Sequence, residues 1–219
     1  MDPRFIRAGR RIAAVALGTA LVLGMSACGE EQVQPASSGS SSAAPGEGEA
    51  RPVSDRYISS GDLPKGWRDS NPPGPGFKQL VCGVDIEPVE PVDGGAIRFA
   101  QSGLGPFLVE HVRIHEDVST PAGVVRELRA ALPGCTSYET KGNKPDSPTV
   151  RFTVEPLTVK GLPDNAVAWR QTATSGAGVT TDMVLVADDE ALVAFVSHAL
   201  QGPPEPDVLE AAVRALDRS

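Results

Sequence analysis

Three histidines are the first candidates for chemistry in this 219-residue sequence. His111 and His115 lie four apart, a spacing that on a helix turns two imidazoles toward one metal ion. Their segment, Phe107–His115, reads instead as a strand, where four residues span roughly 13 Å. His115-Glu116-Asp117-Val118-Ser119 also lacks the second histidine of a zinc-protease motif. Two sheet-face histidines are expected there, not a metal site. Ser197-His198 invites a nucleophile–base reading, but adjacent strand residues point to opposite faces, and no Gly-x-Ser-x-Gly elbow is present. Glu87, Glu90 and Asp93 suggest calcium, yet Pro88 and Pro91 between them disfavour a regular ligand cage, and a solvated acidic loop is expected. Aromatic residues are few. Trp169 and Tyr138 are the candidates for a ligand pocket, with core anchoring as the competing role for them and for Trp67. No catalytic residue, cofactor site or metal site is expected.

These residues must be held by a fold whose elements are legible in the periodicity. Six segments carry strand-like patterns between turn signals: Ala96–Gln101, Phe107–His115, Thr149–Lys160, Ala166–Thr174, Val179–Ala187 and Ala191–His198. In the fourth, Val167 and Trp169 share one face, and Arg170 and Thr172 the other. Short Gly- and Pro-rich links such as Ser102-Gly103-Leu104-Gly105-Pro106 imply antiparallel neighbours. Two helices are expected. The first is capped by Ser119-Thr120-Pro121, carries an apolar stripe of Val124, Val125, Leu128, Ala131 and Leu132, and stops at Pro133-Gly134. The second follows Pro206, with a stripe of Val208, Leu209, Ala212, Val213 and Leu216. Strands, helix, strands, helix: the class is α+β, a mostly antiparallel sheet of about six strands with two main helices packed on it.

The N-terminus carries addressing information. Arg4, Arg7, Arg10 and Arg11 precede an uncharged apolar run from Ile12 to Met25, shorter than the roughly 20 residues that span a bilayer. The run ends in Met25-Ser26-Ala27-Cys28, which resembles the bacterial lipobox. That resemblance implies a signal peptide over 1–27, cleavage before Cys28, acylation of Cys28, and a protein lipid-anchored at the extracytoplasmic face of the cell membrane. Residues 28–54 are rich in Gly, Ser, Ala, Pro and Glu and read as a disordered stalk with a reach of roughly 25–30 Å. A single domain is expected over 55–219. Export leaves Cys82 and Cys135 as an even pair in an oxidising compartment. A disulfide between them is predicted, two separately buried thiols being the alternative. The formal net charge is −8, and loss of the arginine-rich leader makes the remainder more acidic. Such a surface repels nucleic acid and anionic lipid head groups, so the lipid on Cys28 is the expected membrane contact.

Four stretches carry a wider resemblance: Asp62-Leu63-Pro64-Lys65-Gly66-Trp67, Leu132-Pro133-Gly134-Cys135, Ala166-Val167-Ala168-Trp169-Arg170 and Leu192-Val193-Ala194-Phe195-Val196-Ser197. Together they are similar in layout to actinobacterial exported domains of the PknH-like extracellular sensor type and to LpqN-type lipoproteins. The resemblance implies a curved antiparallel sheet, a cleft for a ligand and no catalytic residues to carry over. The kinase-linked members have a kinase, a membrane span and two disulfides; this sequence has neither of the first two and one remaining cysteine pair. The expected function is a monomeric, non-enzymatic binding or sensor module for a small molecule, lipid or envelope protein. The alternatives are an accessory envelope lipoprotein without a pocket and, further off, an unrecognised hydrolase.

Overall fold

The computed structural model describes residues 51–71, 77, 79–141, 146–175, 178–200, 202–216 and 218. The predicted signal peptide, Cys28 and most of the predicted stalk lie outside them. The described residues belong to one compact unit.

The described residues form ten strands: β1 (Arg68–Ser70), β2 (Leu80–Val81), β3 (Val84–Asp85), β4 (Asp93–Ala100), β5 (Phe107–Ile114), β6 (Ser137–Lys141), β7 (Thr149–Pro156), β8 (Ala166–Ala173), β9 (Thr180–Asp188) and β10 (Ala191–His198). Eight form one antiparallel sheet in the order β1-β4-β5-β10-β9-β8-β7-β6, and β2 and β3 form a separate hairpin. The main helices are α1 (Ser119–Ala131) and α2 (Asp207–Leu216).

The expected count of about six strands is therefore too low. The six predicted segments correspond to β4, β5, β7, β8, β9 and β10. The additional main-sheet strands are both edges. β1, Arg-Asp-Ser, has no apolar residue, and β6, Ser-Tyr-Glu-Thr-Lys, buries only Tyr138. Edge strands of this kind are held by ladder hydrogen bonds and leave little hydrophobic signal to read. The third predicted segment also ends early, at Pro156, a residue without an amide hydrogen to continue the ladder. In the β2–β3 hairpin, Cys82 and Gly83 have φ of 53° and 84°, the positive values that a tight two-residue hairpin turn requires.

β10, the last strand in sequence, inserts between β5 and β9. Its Ala-Leu-Val-Ala-Phe run is buried throughout, as expected of a strand covered on both faces. One face packs Phe99, Leu108, Val112, Val184, Val193 and Phe195 against α2 residues Val208, Leu209 and Ala212. The other packs Trp169, Met183, Leu185 and Leu192 against α1 residues Val124, Val125 and Leu128. Residues 51–54, assigned to the stalk by composition, are instead part of this unit. Val53 packs on the first core and Arg51 lies 3.8 Å from Asp188.

The cap of α1 also differs from expectation. Ser119 is the first helical residue, and the Asp117 carboxylate accepts the amide hydrogens of Ser119 and Thr120 at 2.8 and 2.9 Å. A hydrogen bond from the Ser119 hydroxyl, with the two amide bonds, holds its carboxyl below the usual range. Asp117→Ala is expected to lower Tm by a few degrees, with Asp117→Asn retaining most of the parent's stability. A thermal melt of the two variants showing no difference from the parent would remove the cap assignment.

Candidate ligand-binding cleft

Pleating sends every second residue of each strand to the α1 face. His111 of β5, Val196 of β10, Thr181 and Met183 of β9, Gln171 and Ala173 of β8, Val150 and Phe152 of β7 and Thr140 of β6 thus share one surface. They line a cleft of about 540 Å³, closed on one side by Phe77 and Gln79 just before β2. No α1 residue lines it. The helix covers the neighbouring part of the face, where it meets β8 and β9, and the cleft occupies sheet surface that the helix leaves open. Its size lies within the roughly 300–1,000 Å³ of small-molecule sites.

Two polar groups in the wall are buried. Gln171 is 5% exposed. Its Oε1 accepts from the Trp169 indole Nε1–H at 2.9 Å and from the Tyr138 hydroxyl at 2.6 Å. An indole only donates, so the amide orientation is determined and Nε2 is left as a donor on the cleft side. Burial raises the Tyr138 phenol pKa, which keeps it a protonated donor. Trp169 and Tyr138, the sequence candidates for the pocket, therefore do not line it. They stand beside the lining on the same sheet face, where their aromatic bodies serve the core and their polar tips fix Gln171.

His111 is 6% exposed, and its Nδ1 has no hydrogen-bond partner among the described residues. Its cross-strand neighbours are Ala96 and Ala194, small residues that leave room for the Phe77 ring to stack at 4.8 Å. Burial, with a smaller contribution from the Arg113 charge, lowers its pKa to about 4. The imidazole is neutral at physiological pH, with one nitrogen free to accept.

The other candidates are dispersed. His115 follows β5 with neither ring nitrogen partnered among the described residues, and burial lowers its pKa. His198 tilts against Phe107 at 5.1 Å. Burial, then Arg98, lowers its pKa too. Ser197 lies on the opposite face from His198, fully buried, with Oγ unpartnered. Among the described residues no histidine nitrogen is hydrogen-bonded to a hydroxyl or carboxylate, and no three His, Cys, Asp or Glu side chains gather as a metal site. The acidic loop is only partly solvated. Glu87 pairs with the buried Arg113 at 3.2 Å, while Glu90 and Asp93 are exposed.

The disulfide joins Cys82 in the hairpin to Cys135 at the end of α1, with Cα atoms 5.9 Å apart. It therefore ties the hairpin that continues from Phe77 and Gln79 to the helix beside the cleft. Sequence reasoning missed Gln171, Phe152 and His111 as cleft residues. Alternation placed His111 on a sheet face, but nothing local says which part of that face stays uncovered.

No protein-family model matches the chain, and no characterised protein matches its sequence. Among solved structures, it is similar to the extracellular domain of PknH from Mycobacterium tuberculosis, with a TM-score of 0.52 and 11% identity over 76% of this chain and 93% of that one. At that identity the likeness is one of fold. This chain folds as a mostly antiparallel sheet with helices on its faces.

Proposed function

We propose that the chain is a lipid-anchored, extracytoplasmic binding module of sensor type, non-enzymatic, that receives a small ligand in the cleft on the α1 face. The observation that carries this reading is the cleft itself, with its apolar wall and two buried, neutral hydrogen-bonding side chains, Gln171 and His111. Pre-formed concavity with a few convergent polar groups is the general form of a ligand site. The shared fold with an extracellular domain supports the address, as do the lipobox-like residues ending at Cys28. Among the described residues no helix is long and apolar enough to cross a membrane, and the anchor assigned to this chain is acylation of Cys28.

Nile red, an uncharged apolar dye, tests the cleft. It is expected to bind the full chain saturably at one site. Ala173→Trp, which adds an indole at a half-exposed lining position, is expected to weaken binding at least about tenfold, roughly 1.4 kcal/mol. Absence of saturable binding, or unchanged binding in the filled variant, would remove the reading.

A further inference from the structure

Resting on the cleft reading above, we propose that the ligand is an uncharged amphiphile: an apolar body with a neutral head that both donates and accepts hydrogen bonds. The chain has 28 acidic residues, yet among the described residues no carboxylate lines the cleft. The polar lining side chains other than Lys141 are Gln79, His111, Thr140, Gln171 and Thr181, and all are neutral, His111 included. Lys141 is exposed at the end of β6, one residue beyond Thr140. Its pleat position belongs to the opposite face of the strand, so this charge borders the cleft from the β6 edge, while the floor residues of β5, β8, β9 and β10 are uncharged.

An anion or cation lying against this floor gives up hydration and meets no counter-charge among the described floor residues. A neutral hydroxyl-bearing head meets the opposite situation. Gln171 Nε2 offers a donor because Oε1 is already taken twice. The neutral His111 ring offers an acceptor, and its unpartnered Nδ1 leaves the buried site incomplete without a partner. A hydroxyl satisfies both kinds of group. The aromatic and aliphatic lining, Phe77, Phe152, Met183 and Val196, takes the apolar body.

Decyl glucoside, decanoate and decyltrimethylammonium share one chain and differ in the head. Each is titrated below its micelle concentration against Nile red bound to the full chain. The glucoside is expected to displace the dye at concentrations at least about tenfold lower than either ion. Equal or better displacement by decanoate or by the ammonium overturns the neutral class, while the cleft reading, carried by the dye and Ala173→Trp, stands. Failure of the dye itself to bind overturns both. Gln171→Glu keeps the two accepted hydrogen bonds and places a carboxylate in the wall. It is expected to weaken the glucoside about tenfold and to bring in the ammonium. An unchanged order of the three ligands overturns the proposal. Thr181→Glu, at a half-exposed lining position, makes the same test should the first variant not fold.

Discussion

Replacing Cys82 and Cys135 together by serine is expected to lower the stability of the domain by about 4 kcal/mol and to weaken dye binding in the cleft. The bond closes a loop with a sequence separation of 53. Chain-entropy reasoning for a loop of this length gives about that value, although part of such effects is enthalpic. The loss is not spread evenly. β2 and β3 are two residues each and stand outside the main sheet. A two-stranded hairpin has little stability alone. What holds this one is its packing against α1 and β6, through Val81 and Ile86, and the cross-link. Phe77 and Gln79 enter the cleft directly before it, and the Ile86 amide donates to the Gln79 carbonyl at 3.2 Å. Loosening the hairpin therefore moves one wall of the site. Urea unfolding and Nile red titration of the double variant measure both effects. A midpoint within error of the parent would refute the stabilising role. Normal stabilisation loss with unchanged dye affinity would separate the hairpin from the site.

Glu110→Gln is expected to stabilise the protein by about 3 kcal/mol at pH 7 and to flatten its pH dependence. Glu110 is fully buried on the α2 face of β5, between Ile97 of β4 and Phe195 of β10. Oε2 accepts the Ile58 amide hydrogen at 3.1 Å, and Oε1 has no partner among the described residues. Desolvation, opposed by the Ile58 hydrogen bond, raises the pKa from 4.5 to about 8. The native state thus holds a proton that the unfolded chain releases near pH 4.5. Stability associated with this proton is complete below pH 4.5, declines as pH rises, and is lost once pH passes about 8. At about 1.4 kcal/mol per pH unit, the loss by pH 7 is on the order of 3 kcal/mol. Glutamine retains an acceptor for Ile58 and has no proton to lose. Unfolding free energies of the two proteins between pH 5 and 8 should diverge steadily, since all other titrating groups are shared. Parallel curves would show that Glu110 is not held protonated.

Local pattern carried much of this fold. The stripes of α1 and α2, the alternation in β8 and the continuous apolar run of β10 each record which side of an element meets the core, a property of neighbouring residues in the chain. The cysteine pair was legible from parity and export, and the structure forms that bond. Tertiary structure decided the rest. Strand order depends on contacts between segments far apart in sequence, so the insertion of β10 between β5 and β9 left no local trace. The polar edges β1 and β6 exist because a neighbouring ladder holds them, not because their side chains seek a core. Glu110 sits in an alternating strand at a position where pattern alone predicts an apolar residue, and only packing of the Ile58 segment over it explains its burial. The cleft is sheet surface left open beside α1. Its lining residues, Gln171 and Phe152 foremost, look in sequence like any others on that face, because the extent of a helix's coverage is a property of packing and not of the strand beneath it.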